Sequence, residues 1–170
     1  MELMRLLFLL GCLWLTACGS RPATGPVFGK AAGTFGASFD HYAINVDDVD
    51  ASVAFYQRVF DLPEVYDGTE KDHIRWLSLG DGMSLHIIES DRSELRLQKG
   101  VHLAISLGNF EEFVARLRTL DVPFESWQGV ALETNGRPDG VQQVYLRDPD
   151  GYWIEVNDGR SIFGAAPVKP

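Results

Sequence analysis

Four ionisable side chains stand at matching points of a duplicated sequence, and together they make a ligand set for a divalent cation. The stretch HYAINVDDVDASVAFY begins at His41, and HLAISLGNFEEFVARL begins 61 positions later at His102. Further on, DGMSLHII from Asp81 aligns with DGYWIEVN from Asp150, 69 positions away, which sets His86 opposite Glu155. Duplicated modules tend to pack about a pseudo-twofold axis, and residues at equivalent points then converge near it. Three imidazoles and a carboxylate suit Zn, Ni, Co, Fe or Mn. Burying the four together without a partner would be costly; a hydrogen-bonded polar cluster is the alternative use of the same residues. His73 has no counterpart and reads as a loop residue or a substrate contact, and Glu89 and Glu94 read as solvated surface charge.

The elements that must position these groups follow from periodicity. Residues 39–46 alternate, with His41, Ala43 and Asn45 on one face and Tyr42, Ile44 and Val46 on the other, which makes a strand with one face toward a core. Asp48 or Asp50 can cap a helix through about Phe60, whose Val53, Phe55, Tyr56, Val59 and Phe60 recur at helical spacing. Strands follow at about 63–66, 74–79 and 84–89, the last two joined by a tight Gly80-Asp81-Gly82 turn. The second module repeats the order: a strand at 101–107, a helix at 110–120, and strands near 122–126, 141–147 and 152–158, with Asp148-Pro149-Asp150-Gly151 as the turn. Each module is therefore βαβββ, and the fold class is α+β. A four-stranded sheet with a single helix leaves one face open, so two modules would close those faces on each other around a cleft. Alternation then aims Ile74, Trp76 and Ser78, and by the repeat Gln143, Tyr145 and Arg147, into the cleft beside Asn45, Ser84, Ser106, Trp153 and Asn157. Trp76, Gln143, Tyr145, Arg147 and Asn45 are the candidate substrate contacts.

Residues 1–17 read as a signal peptide, with Arg5 in the n-region and an apolar run over 6–15. That run falls short of the roughly 20 residues a membrane span needs. Leu15-Thr16-Ala17-Cys18 resembles a bacterial lipobox, whose cysteine is acylated after cleavage, and Gly19 favours outer-membrane sorting. The expected address is the cell envelope, lipid-anchored and facing the periplasm. Cys12 leaves with the signal, so of two cysteines one remains, and no disulfide can form within the mature chain. Residues 18–37, rich in Gly, Ala and Pro, read as a tether; 38–160 make one domain of two modules (about 38–90 and 100–158), and 161–170 a tail. Losing Glu2 and Arg5 leaves the net charge at −9. That balance argues against nucleic acid and against an electrostatic grip on anionic lipid, so membrane contact is through the anchor alone.

DHYAINVDDVDASVAFYQRVFDLPE and VYLRDPDGYWIEVND together resemble the opening strand and helix, and the closing hairpin, of the vicinal oxygen chelate superfamily. That superfamily includes glyoxalase I, fosfomycin-resistance and bleomycin-resistance proteins, methylmalonyl-CoA epimerase and extradiol dioxygenases. The resemblance implies one divalent metal held from the first and last strands of each module, positions that are His41, His86, His102 and Glu155 here. The most similar branch, glyoxalase I, implies a lyase or isomerase acting on a small substrate with vicinal oxygens, with Glu155 as the catalytic base. This chain departs at His86, where bacterial glyoxalase I generally has a glutamate, and in its secretory address. Two other readings stay open: an Fe(II) extradiol-type dioxygenase, and a non-enzymatic protein that sequesters an antibiotic or other ligand. The resemblance also admits a homodimer.

Overall fold

The computed structural model describes residues 34–159; the signal, most of the tether, Cys18 and the tail lie outside them. Strand β1 (His41–Val46) leads into helix α1 (Val49–Phe60). Asp48 caps that helix by accepting from the Ala51 amide at 2.9 Å, and Asp61 ends it in the left-handed conformation at φ 58°. Val49, Ser52, Val53, Tyr56 and Val59 form its buried stripe. Strands β2 (Glu64–Val65), β3 (Ile74–Gly80) and β4 (Met83–Glu89) complete a sheet in the order β1-β4-β3-β2. The β3–β4 turn places Gly80, Asp81 and Gly82 at φ 85°, 50° and 80°, which is why glycines flank the aspartate.

The second module reproduces this with β5 (His102–Ser106), α2 (Phe110–Thr119), β6 (Phe124–Glu125), β8 (Gln142–Arg147) and β9 (Trp153–Asn157), in the order β5-β9-β8-β6. The two halves differ in one added element. A two-residue strand β7 (Asn135–Gly136) pairs with β8, inside a long excursion between β6 and β8. The periodicity of 127–140 gives no sign of it. In both modules the first strand runs parallel to the last. Ala43 lies opposite His86 in one sheet and Ala104 opposite Glu155 in the other, so the repeat seen in sequence is a repeat in register.

The core-facing residues of both sheets and both helices form one hydrophobic cluster, not two. Leu77, Leu85 and Ile87 of the first sheet and Leu146, Ile154 and Val156 of the second belong to it, and the helices meet each other through stacked Phe60 and Phe113 rings 5.1 Å apart. Arg116 of α2 donates to the carbonyls of Val59 at 3.0 Å and Arg58 at 2.6 Å. A polar seam fixes the other side. Tyr56 donates to Asp148 at 2.9 Å, the Asn45 amide to the Tyr152 hydroxyl at 3.0 Å, and Arg92 bridges Asp47 and Asp150 at 2.8 Å each. The four ionisable side chains lie outside this shared core. Within one chain the modules pack by their helix sides, and the four ligand candidates are not gathered at one point among the described residues.

Candidate functional site

The two repeat pairs are each brought together, and the two pairs are kept apart. On the first open face His41 and His86 stack with centroids 4.2 Å apart, and Trp76 stacks on the other side of His86 at 3.9 Å. On the second, His102 Nε2 lies 3.2 Å from Glu155 Oε2. Among the described residues no group of three or more histidines, cysteines or carboxylates is placed to hold a metal ion. The set of four is thus two half-sets within one chain.

Hydrogen bonds fix the ring orientation in both halves. His102 Nδ1 lies 2.8 Å from the carbonyl of Lys99, which can only accept, so that nitrogen carries the proton and Nε2 presents its lone pair to Glu155. The Nε2–carboxylate contact then sets two electron-rich atoms side by side, an arrangement a bound cation would bridge. His41 is handled the same way, its Nδ1 lying 2.5 Å from the Asp40 carboxylate, which leaves Nε2 as the nitrogen for a ligand bond. An acceptor behind Nδ1 is the arrangement that prepares a histidine to bind metal through Nε2. His86 Nε2 is 2.8 Å from the Ser84 hydroxyl, and burial, with His41 alongside, lowers its pKa and favours the neutral ring a metal requires. The donor set therefore fits a divalent cation in chemistry, and His41 and His102 also in tautomer, as two halves.

Glu155 is only 5 % exposed, and its carboxylate is fully engaged. It accepts from the Tyr145 hydroxyl at 2.6 Å and from Asn157 Nδ2 at 2.7 Å, with Arg137 Nη1 at 3.5 Å. The Tyr145 pKa is raised by burial and by its bond to Glu155, so its hydroxyl stays a donor. Around them lies a cavity of about 420 Å³ lined by His102, Trp127, Asn135, Arg137, Gln143 and Tyr145, among others. Its roof is the excursion carrying β7.

Of the residues expected to meet substrate, Trp76, Gln143 and Tyr145 lie beside the half-sets. Trp76 Nε1 and Gln143 Oε1 are buried without a hydrogen-bond partner, a condition a bound ligand could relieve. Arg147 lies 4.1 Å over the Trp153 ring and lines a neighbouring cavity with Glu125 and Phe124. Asn45 is not brought to His41. It lines a cavity with Arg92 at the seam between the modules, two same-face positions along β1, roughly 13 Å away at strand rise. His73 sits in an exposed turn, and Glu89, exposed as expected, also accepts the Val49 amide at 3.1 Å. Lys99, Trp127, Asn135 and Arg137 are missed by the sequence reading, because they lie in segments without period or repeat partner.

The profile of the Glyoxalase/Bleomycin resistance protein/Dioxygenase superfamily matches residues 38–156, and the chain belongs to that superfamily. A metallothiol transferase of Shouchella clausii is 28% identical over 126 residues, spanning 71% of this chain and 79% of that protein. Among solved structures, a lactoylglutathione lyase from Agrobacterium tumefaciens aligns with TM-score 0.58 and 24% identity over 76% of this chain and 98% of its own. A fosfomycin resistance protein from Listeria monocytogenes aligns at 0.54 and 23% over 71% and 92%. These structural likenesses establish the shared fold.

Proposed function

We propose that the protein is a metal-dependent lyase or isomerase of glyoxalase I type, acting on a small substrate with vicinal oxygens, whose centre is completed by a second copy of the chain. His41 and His86 of one copy and His102 and Glu155 of the other are the ligands. The observation that carries this is the paired preparation of His41 and His102, each with Nδ1 on an acceptor so that Nε2 is left for a ligand bond, in half-sets that one chain does not bring together. A divalent ion there would supply Lewis-acid stabilisation of charge developing on substrate oxygen.

The chain's own groups have distinct tasks. Glu155 accepts the carbon-bound proton, because the imidazoles have no free basic nitrogen while they serve as ligands. Tyr145 and Asn157 hold its carboxylate in place, and Trp76 and Gln143 offer their unpartnered polar atoms to the substrate. The name of the Shouchella clausii relative supports a metal and directs the substrate screen toward thiol adducts of 2-oxoaldehydes. The envelope address and lipid anchor at Cys18 belong to the same proposal and are tested by membrane fractionation of a Cys18→Ser variant.

Assembly in trans has a decisive experiment. The His41→Ala/His86→Ala and His102→Ala/Glu155→Gln variants should each lack metal and turnover. Mixed, they should regain one divalent ion per hybrid dimer, because one of its two sites receives both intact halves. No recovery of metal in the mixture, with each variant folded, would refute the shared site.

A further inference from the structure

The segment joining the modules ends at Lys99, three residues before His102. Its side chain is 17% exposed, and its ammonium is met by three acceptors and three aromatic rings. It donates to Glu125 Oε1 at 2.7 Å and to the carbonyls of Ser126 and Trp127 at 2.6 Å and 3.1 Å. The rings of Tyr145, Trp153 and Trp127 stand 4.7, 4.9 and 5.7 Å from it. A desolvated ammonium is tolerated only when its protons are taken and its charge is met, and here three acceptors and three ring faces do both. With every proton committed, Lys99 is no nucleophile or base in this state.

The partners belong to two layers. Ser126 and Trp127 begin the segment that roofs the cavity, while Tyr145 on β8 lines its floor and Trp153 on β9 lines the neighbouring cavity. The carbonyl of the same residue accepts the His102 Nδ1 proton. One residue therefore ties roof to floor with its side chain and sets a tautomer with its backbone.

We propose that Lys99 is the positioning residue of the second half-site: its ammonium clamps the roof, and the clamped backbone holds His102 with Nε2 directed at Glu155. Its purpose rests on the metal-centre reading, and its geometry does not. The test is therefore made first on metal-free protein. In Lys99→Met, backbone amides of Trp127, Gly129 and Val130 should lose hydrogen-exchange protection by at least about tenfold, since the loop opens without the clamp. Nitrogen-15 spectra should show His102 as the Nδ1–H form in the wild type and as a mixture of tautomers in the variant. Amides of β3 and β4 should be unchanged, which separates this from general loosening. Glu125→Gln, which keeps the ammonium and the rings, should show a smaller loss at the same amides and serves if Lys99→Met does not fold. Zinc added afterwards should bind the Met variant about tenfold more weakly than the wild type, the scale for groups that orient ligands. Unaltered loop protection and an unaltered His102 tautomer in the folded variants would overturn the proposal. A wild type that binds no zinc while the exchange and tautomer results hold would instead remove the metal reading.

Discussion

The two modules share strand order, register and core, and differ in what lies over their open faces. In the first, His41 is exposed and β4 is only partly covered along its outer face. In the second, all five residues of β9 are buried, because the excursion through β7 folds over the outer face. One framework thus presents an accessible imidazole pair on one side and a roofed carboxylate pocket on the other. Duplication fixed where the side chains are; the later loop determined their surroundings. The proposed base sits in the more enclosed of the two sites, where a proton transfer gains most from a fixed polar environment.

The largest expected effects are in the cores, and they should be equal. Leu85 and Ile154, 0% and 1% exposed, occupy corresponding inner-face positions of the two modules. Each alanine variant should lose about 2–5 kcal/mol in urea unfolding. A loss confined to one variant would mean the modules do not share a single cooperative core. At the outer faces the comparison should break. Glu155→Gln, with metal supplied, should still bind a chelating substrate analogue yet lose turnover by about 10²-fold or more. Unchanged catalysis would move the base elsewhere.

The seam supplies a third difference. Asp148, in the second module's turn, has its pKa pushed up to about 6 by burial, against the bonds from Tyr56 and the backbone that oppose the rise. A raised carboxylate binds its proton more tightly folded than unfolded. Stability contributed by this group is therefore present below its unfolded pKa of about 4 and falls as pH rises toward 6. Relative to Asp148→Asn, the wild type should lose on the order of 2–3 kcal/mol between pH 4 and pH 7. A pH-independent difference would show that the carboxylate is hydrated in solution.

The smallest effect concerns the helix starts. Asp48 caps α1 with its side chain, whereas Asn109 makes no such bond at α2. Asp48→Ala should cost about 1 kcal/mol and Asn109→Ala only a few tenths. Equal costs would mean that the α2 cap forms in solution.

What the sequence made legible follows the same division. Strand alternation and helical spacing located both βαβββ modules and the inward sets, since those patterns report burial against a core. The internal repeat identified His41 with His102 and His86 with Glu155, and the sheets place them in equivalent register. Arrangement was not legible. Nothing in residues 39–158 distinguishes half-sets gathered within one chain from half-sets kept apart, because that depends on α1 meeting α2 through Phe60 and Phe113. The roof was not legible either. Its contacts are made by Lys99 to carbonyls, and a carbonyl has no residue type.

The shared helical core also sets a valency. Each chain would carry one half of each of two different centres, so a two-fold dimer pairs the first half of each copy with the second half of the other. Such an interface is isologous and closed. In any closed assembly the number of whole centres equals the number of chains, and an isolated chain has none. Specific activity should therefore fall on dilution, and a membrane tether that concentrates chains in two dimensions would protect against that fall.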